Sequence, residues 1–289
     1  MKIVGKPRDA RGPARALAPA LALAAGLGLA FAFALGGSAQ EEAKPPGKGI
    51  EYWAAEAARD RIAPADEPGK PLTLRKEPAL HWSNPVRGTG DGALFLWTDR
   101  GRPEAAMCVW GGSSEGKPTI MHESQSLALA PLVARRDDRV TWSPKAGVVP
   151  APIPDAPPPA ADAAGRLRQL RALAREFTAT FGDPPKRTEL RPLTRPLYRY
   201  EVGGARPDLI DGALFGFVHT TDPEVLLLIE ARPAAPGGPM AWHYAFARMS
   251  GYSLRAERKE QEVWRADWAP AATDITSPYH YVADWAETP

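Results

Sequence analysis

The pentapeptide Asp-Gly-Ala-Leu-Phe occurs twice in this chain, at 91–95 and at 211–215, 120 positions apart. A strand-forming stretch written twice at the spacing of a small domain points to two similar units in tandem. Laying the halves over each other extends the match. Pro103-Glu104 falls on Pro223-Glu224 at the same offset, Leu74-Arg75 resembles Leu190-Arg191, and Leu80-His81-Trp82 resembles Leu197-Tyr198-Arg199-Tyr200. Further on, His122 meets His243 at an offset of 121 and Trp142 meets Trp264 at 122. The series reads as an ancient tandem duplication.

Each copy is expected to open with a helix. In the second, Leu167, Leu170, Leu173, Ala174, Phe177 and Phe181 recur at spacings of three and four, with Asp162 as the N-cap and Gly182-Asp183-Pro184-Pro185 as the stop. In the first, a helix over 50–62 offers Tyr52, Trp53 and Ala57 to the core and ends at Pro64. Strands follow over 93–98, 105–110, 119–129 and 140–142, then 213–219, 224–231, 242–250 and 262–264. The connections 99–103 and 220–223 carry turn residues. Asp-Gly of the pentapeptide reads as a turn that launches a strand, and Ala-Leu-Phe as that strand's packing residues. The unbroken run Val225 to Ile229 suggests a strand covered on both faces. The expected fold class is α+β: two tandem repeats, each a helix packed on an antiparallel meander sheet, packed as a pseudo-dimer. That element order is similar to cystatin-like and nuclear-transport-factor-like folds.

The remaining segments divide the chain further. Lys2, Lys6, Arg8, Arg11 and Arg15 precede an apolar run over 16–35 that ends in Gly36-Gly37-Ser38-Ala39. This is the pattern of a signal peptide cleaved after Ala39, with an uncleaved membrane anchor as the rival reading. The expected domains are therefore a signal peptide (1–39), a linker (40–49), a first α+β repeat (50–143), a Pro-rich linker (144–160), a second α+β repeat (161–268) and an aromatic C-terminal tail (269–289). Of 36 basic and 34 acidic residues, five and one lie within 1–39, leaving 31 against 33. A near-neutral mature chain gives no electrostatic ground for nucleic-acid binding, and no membrane association is expected after cleavage. Cys108 is the single cysteine, so no intrachain disulfide can form, and its apolar neighbours mark it as a buried small hydrophobe.

A catalytic constellation is not legible. The five histidines (His81, His122, His219, His243 and His280) form no metal-ligand spacing, and neither a metal nor another cofactor is expected. In "HESQS" at 122–126, His122 and Glu123 would point to opposite faces of a strand. "GGSSEGK" at 111–117 lacks phosphate-loop spacing and reads as a polar loop. Glu104 and Glu224 read as surface residues at strand starts. Aromatics stand out instead, and Trp268, Tyr279, Tyr281 and Trp285 have no counterpart in the first half. The candidate ligand-binding residues are His122, His243, Trp242, Trp268, Tyr279, Tyr281 and Trp285, with stacking on a ligand as their chemistry.

The stretches "LYRYE", "DGALFGFVHTTDPEVLLLIEAR" and "AWHYAFARM" resemble an uncharacterised family of exported proteins from planctomycete-type bacteria, over about Ile50 to Trp268. The resemblance implies export and a shared fold and carries no activity. The expected function is an exported, periplasmic or extracellular, non-catalytic binding or scaffold protein with a protein, peptide or glycan partner. The alternative is a hydrolase or isomerase with a cavity between helix and curved sheet, His122 or His243 acting as general base.

Overall fold

Leu173, Phe177 and Phe181 are four residues apart, and that spacing suits a strand as well as a helix, because four is also twice two. The β-branched Thr178 and Thr180 between the phenylalanines are stiff at χ1 and favour the strand. In the computed structural model, which describes residues 49–84, 89–114, 117–200, 202, 206–269 and 273–285, the helix stops at Ala174 and Phe177–Phe181 is a strand. The first half repeats this: its helix is Ile50–Ala57, and Arg61–Pro64 is a strand where a helix through Ile62 was expected. Asp162 does cap the second helix, its Oδ1 accepting from the Gly165 amide at 2.7 Å. Shortened helices, and strands in place of their ends, overturn the expected α+β class. Among the described residues the chain is mostly β, with two helices and four antiparallel sheets, rather than two repeats of a helix laid on a meander.

The first half runs α1 (Ile50–Ala57), β1 (Arg61–Pro64), β2 (Thr73–Leu74), β3 (Leu80–Asn84), β4 (Thr89–Asp99), β5 (Arg102–Ser114), β6 (Lys117–Ser126), β7 (Leu132–Arg136) and β8 (Arg139–Trp142). After β9 (Ala151–Pro152) the second half runs α2 (Ala163–Ala174), β10 (Phe177–Phe181), β11 (Thr188–Glu189), β12 (Arg191–Pro192), β13 (Tyr198–Tyr200), β14 (Asp211–His219), β15 (Asp222–Pro233), β16 (Met240–Arg248), β17 (Leu254–Arg258) and β18 (Gln261–Ala266). The last strand is β19 (Tyr279–Trp285). One large sheet has the order β19-β6-β5-β4-β2, with β3 also on β4; the other has β9-β16-β15-β14-β12, with β13 also on β14. The small sheets are β1-β7-β8 and β11-β10-β17-β18.

Side-chain alternation turns these sheets into layers. Phe95, Trp97, Met107 and Val109 face the first half's helix and small sheet, packing with Trp53, Ile62, Ala134 and Trp142. Phe215, Phe217, Leu227 and Ile229 do the same in the second half with Leu170, Phe177 and Ala256. The opposite faces of the large sheets meet each other through Leu94, Leu96, Ala106, Cys108, Leu214, Leu226, Leu228 and Ala245. Strand β15 is thus buried on both faces, which is why its sequence does not alternate.

The pentapeptide acquires a different meaning in this setting. Its Asp-Gly is no turn, because both pairs already lie within β4 and β14. Asp91 accepts from the Trp53 indole of α1 at 3.0 Å, and Asp211 accepts from Arg166 of α2 and Arg199, each at 2.7 Å. Each aspartate therefore ties a helix to a sheet. The following glycines make room for an aromatic ring: a Cβ would lie 2.7 Å from the Trp82 ring at Gly92 and 2.4 Å from the Tyr200 ring at Gly212. The hairpins are tighter than expected. Arg100 and Gly101 form a two-residue turn with φ of 45° and 87°, and Pro103 and Pro223 fall inside β5 and β15, beside register shifts.

The Pro-rich segment between the halves is built into the fold as well. β9 pairs with β16, and the Ile153 amide donates to the Trp242 carbonyl at 2.8 Å. β19 returns to the other half and pairs with β6 over seven positions, from Tyr279↔Gln125 to Trp285↔Thr119. The expected signal peptide and residues 40–48 of the first linker lie outside the described residues.

Candidate functional site

The register shifts in the two central hairpins create a related pair of positions. Ladder pairing passes from Trp97↔Ala105 to Thr98↔Pro103, and from Phe217↔Val225 to Val218↔Pro223, so Glu104 and Glu224 are each the extra residue of a β-bulge. A bulge re-aims a side chain, and both glutamates are buried, at 7% and 1% exposure. The expectation that they are surface residues at strand starts fails for that reason. Their carbonyls accept from Leu127 and Met249 respectively, both at 2.8 Å. Two corners of the inter-sheet interface are thereby matched: Arg102 corresponds to Asp222, Glu104 to Glu224, Leu127 to Met249, Trp110 to Glu230 and Trp82 to Tyr200.

One corner is sealed by charge. Arg102, fully buried, donates through Nε to Glu230 at 2.7 Å and through Nη1 to Glu104 at 2.8 Å and to the Leu127 carbonyl at 3.0 Å. Arg206 also reaches Glu104 (2.8 Å), and Arg232 (2.9 Å) and the Tyr200 hydroxyl (2.7 Å) reach Glu230. Burial alone would lower the Arg102 pKa, but Glu230 and Glu104 outweigh it and hold the guanidinium charged. Burial likewise pushes Glu230 up, and Arg102 and Arg232 bring it below the usual carboxylate range.

The other corner is open. A cleft of about 420 Å³ is lined by Trp110 of β5, Glu123 of β6, Asp222 and Glu224 of β15, the stretch Met249 to Tyr252, Trp268-Ala269, and Tyr279 and Tyr281 of β19. Trp82, Trp110 and Tyr281 form a row with ring centroids 5.7 and 5.9 Å apart. Trp268 and Tyr252 are 64% and 47% exposed. Glu123 accepts from the Tyr279 hydroxyl at 2.5 Å. Burial pushes Glu123 well above the ordinary carboxylate range, and Asp222 and Glu224 add to that shift. Burial followed by Glu123 raises Tyr279 strongly, and the same two causes raise Tyr281 to about 12. Arg248 stands over the Tyr279 ring at 4.7 Å, with its guanidinium engaged by the carbonyls of Ser250, Tyr252 and Asp267. It holds the two loops that frame the cleft.

Of the residues singled out from the sequence, Trp268, Tyr279 and Tyr281 are brought together here. Trp242 is a core residue at 1% exposure, packed on the far face of its sheet. The strand position of Trp285 pairs with Thr119, and its side chain lies outside the described residues. The two histidines do not form a pair. The ladders place His122 opposite Val109 and Tyr244 opposite Ile229, so the counterpart of His122 is Tyr244, and His243 falls one residue out of step on the opposite face. His122 faces α1 among charges, its Nδ1 3.3 Å from Arg136 and its Nε2 3.4 Å from Glu56, and Arg136 donates to Glu56 at 2.7 Å and to Asp60. Burial, then Arg136 and Arg59, lower the His122 pKa to about 3, which keeps the ring neutral. Neither histidine lines the cleft.

Sequence reasoning missed Trp110, Glu123, Asp222, Glu224 and Tyr252. The signal was available in the offset of 120, which sets Arg102 against Asp222 and Trp110 against Glu230, exchanges of charge and ring at positions that otherwise match. Among the described residues, no three His, Cys, Asp or Glu side chains are grouped so as to hold a metal ion. The site and fold thus define an antiparallel β protein with an acidic, aromatic-rimmed cleft. No family model, no curated protein and no solved structure matches the chain.

Proposed function

We propose that this is an exported, non-catalytic binding protein whose ligand enters the cleft between the two large sheets. The observation that carries the reading is the difference between the matched corners: one is filled by its own arginine, and the other is left as a cleft with five aromatic residues around three carboxylates. Aromatic faces at an exposed rim and a few converging polar groups at depth are the common anatomy of a small-ligand site. The same reading takes the halves as copies of one ancestral unit, supported by their corresponding sheet orders and the offset of 120. It also takes 1–39 as the export signal.

The test is to titrate the mature chain with peptide pools, oligosaccharides and small amines while following tryptophan emission, with Trp268→Ala as the control. Quenching that the substitution removes supports the cleft as the site. A full panel without response, or a response unchanged in Trp268→Ala, would sink the reading. Fractionation of cells expressing the full chain, with N-terminal sequencing of the product, tests export and cleavage after Ala39.

A further inference from the structure

We infer that the open cleft binds a guanidinium group, carried by a small molecule or by an arginine side chain of a peptide. The inference rests on the cleft being a ligand site and adds the chemistry of its ligand. The sealed corner supplies the argument, because there the protein shows what this geometry holds. A guanidinium sits beside a bulge glutamate, Glu104, and takes a second carboxylate, Glu230, and a backbone carbonyl, that of Leu127. In the open corner the bulge glutamate is kept as Glu224, and the carbonyl-bearing position is kept as Met249. The second carboxylate is supplied from another strand, by Glu123 of β6. What changes is the occupant: the position of Arg102 is taken by Asp222, which adds negative charge and leaves the place of the guanidinium as a cleft.

The surrounding groups favour the same ligand. Trp110 stands where the sealed corner has Glu230, and Tyr281 of β19 adds a second ring beside it; a guanidinium stacks on such faces while its edge bonds carboxylates. Three carboxylates face the cleft, and the cation beside them, Arg248, already donates from each of its three nitrogens to a backbone carbonyl. The cleft is open enough to admit the chain that carries the group, with Trp268 and Tyr252 at its mouth.

Binding also carries a proton signature. The groups facing Glu123 are Asp222, Glu224, Tyr279, Cys108, Tyr281 and Arg248, and burial together with the two carboxylates favours its protonated form. A cation beside Glu123 favours the carboxylate, so complex formation releases a proton and affinity rises with pH.

The experiment is isothermal titration of the mature full-length chain with L-arginine amide and with agmatine, in buffers of different ionisation enthalpy, and with citrulline amide as the neutral isostere. Both guanidinium probes are expected to bind with Kd below about 1 mM and with proton release, and citrulline amide at least about tenfold more weakly. Glu224→Gln is expected to weaken the probes about tenfold or more. Asp222→Arg places a tethered guanidinium where the sealed corner has one, and is expected to abolish probe binding without lowering Tm. Tighter binding of the amide assigns the source to peptide arginine, and tighter binding of agmatine assigns it to a free guanidine. Equal binding of citrulline amide, full binding by Glu224→Gln, or full binding by a folded Asp222→Arg would each overturn the inference. Failure of both probes while the cleft takes a neutral ligand would overturn the guanidinium alone, leaving the binding function standing.

Discussion

Arg102 offers the sharpest test of how the two sheets are joined. Replacing it by Met keeps an apolar stem as far as the Nε position and removes the guanidinium from a fully buried position. Glu104 and Glu230 would then stay in the interface, each short of one partner at 2.8 and 2.7 Å. Breaking a buried ion pair from one side costs about 3–5 kcal/mol. Here Glu104 keeps Arg206, and Glu230 keeps Arg232 and Tyr200, so the lower end applies, about 3 kcal/mol. For a cooperative unit of this size that corresponds to about 6–12 °C in Tm, or a fall of about 1 M in urea midpoint if m is about 3 kcal/mol/M. Urea unfolding followed by tryptophan emission measures it, with Arg102→Lys as an intermediate case because an ammonium keeps the charge but has one nitrogen in place of the separate Nε and Nη1 that reach Glu230 and Glu104. A midpoint that stays put or rises in Arg102→Met would refute the reasoning. The carboxylates would then be accommodated without their cation, and the sealed corner would be no guide to the open one.

Three further outcomes are expected. His122 has a folded pKa of about 3 against 6.5 unfolded, so below pH 6.5 the unfolded chain takes up a proton the fold refuses; its contribution is fully present above that value and is lost on acidification by about 1.4 kcal/mol per pH unit. Urea midpoints at pH 7 and 5 should therefore fall less in His122→Gln than in the natural chain, and equal slopes would contradict the neutral ring. Gly92→Ala and Gly212→Ala should each lower stability by about 1–3 kcal/mol, because the added methyl meets the Trp82 or Tyr200 ring; unchanged melting curves would show that the rings can yield. Truncation after Ala269 removes β19, and should both lower the urea midpoint and open Cys108, buried two strands away, to a thiol reagent under native conditions.

What the sequence shows, and what it hides, follows from which interactions are local. The central hairpins are legible because the apolar runs Ala93 to Trp97 and Val225 to Ile229, each bounded by turn residues, mark strands from within. The helix ends are not, since Phe177 and Phe181 satisfy both periods, Thr178 and Thr180 only tilt the balance, and pairing with Leu254–Arg258 completes the choice of strand. Short strands such as β2, β9 and β12 exist by virtue of a neighbour and have no pattern of their own. The tail was half legible: Trp268, Tyr279 and Tyr281 stood out as aromatics without counterparts, but their acidic companions did not. Glu224 looks like an exposed strand start until the bulge turns it inward, and Glu123 drew notice only as the neighbour of His122.

The two large sheets complete their edges at different moments of synthesis. The edge partner of β16 is β9, made before it. The edge partner of β6 is β19, which leaves the ribosome after every other described strand. At ordinary elongation rates of about 5–20 residues per second, the interval between them is roughly 10–30 s. During that time the nascent first half presents a ten-residue strand with no outer partner. The polypeptide is closed, in effect, by its own last described strand, and a holding chaperone or a foreign strand has that interval in which to compete for the place.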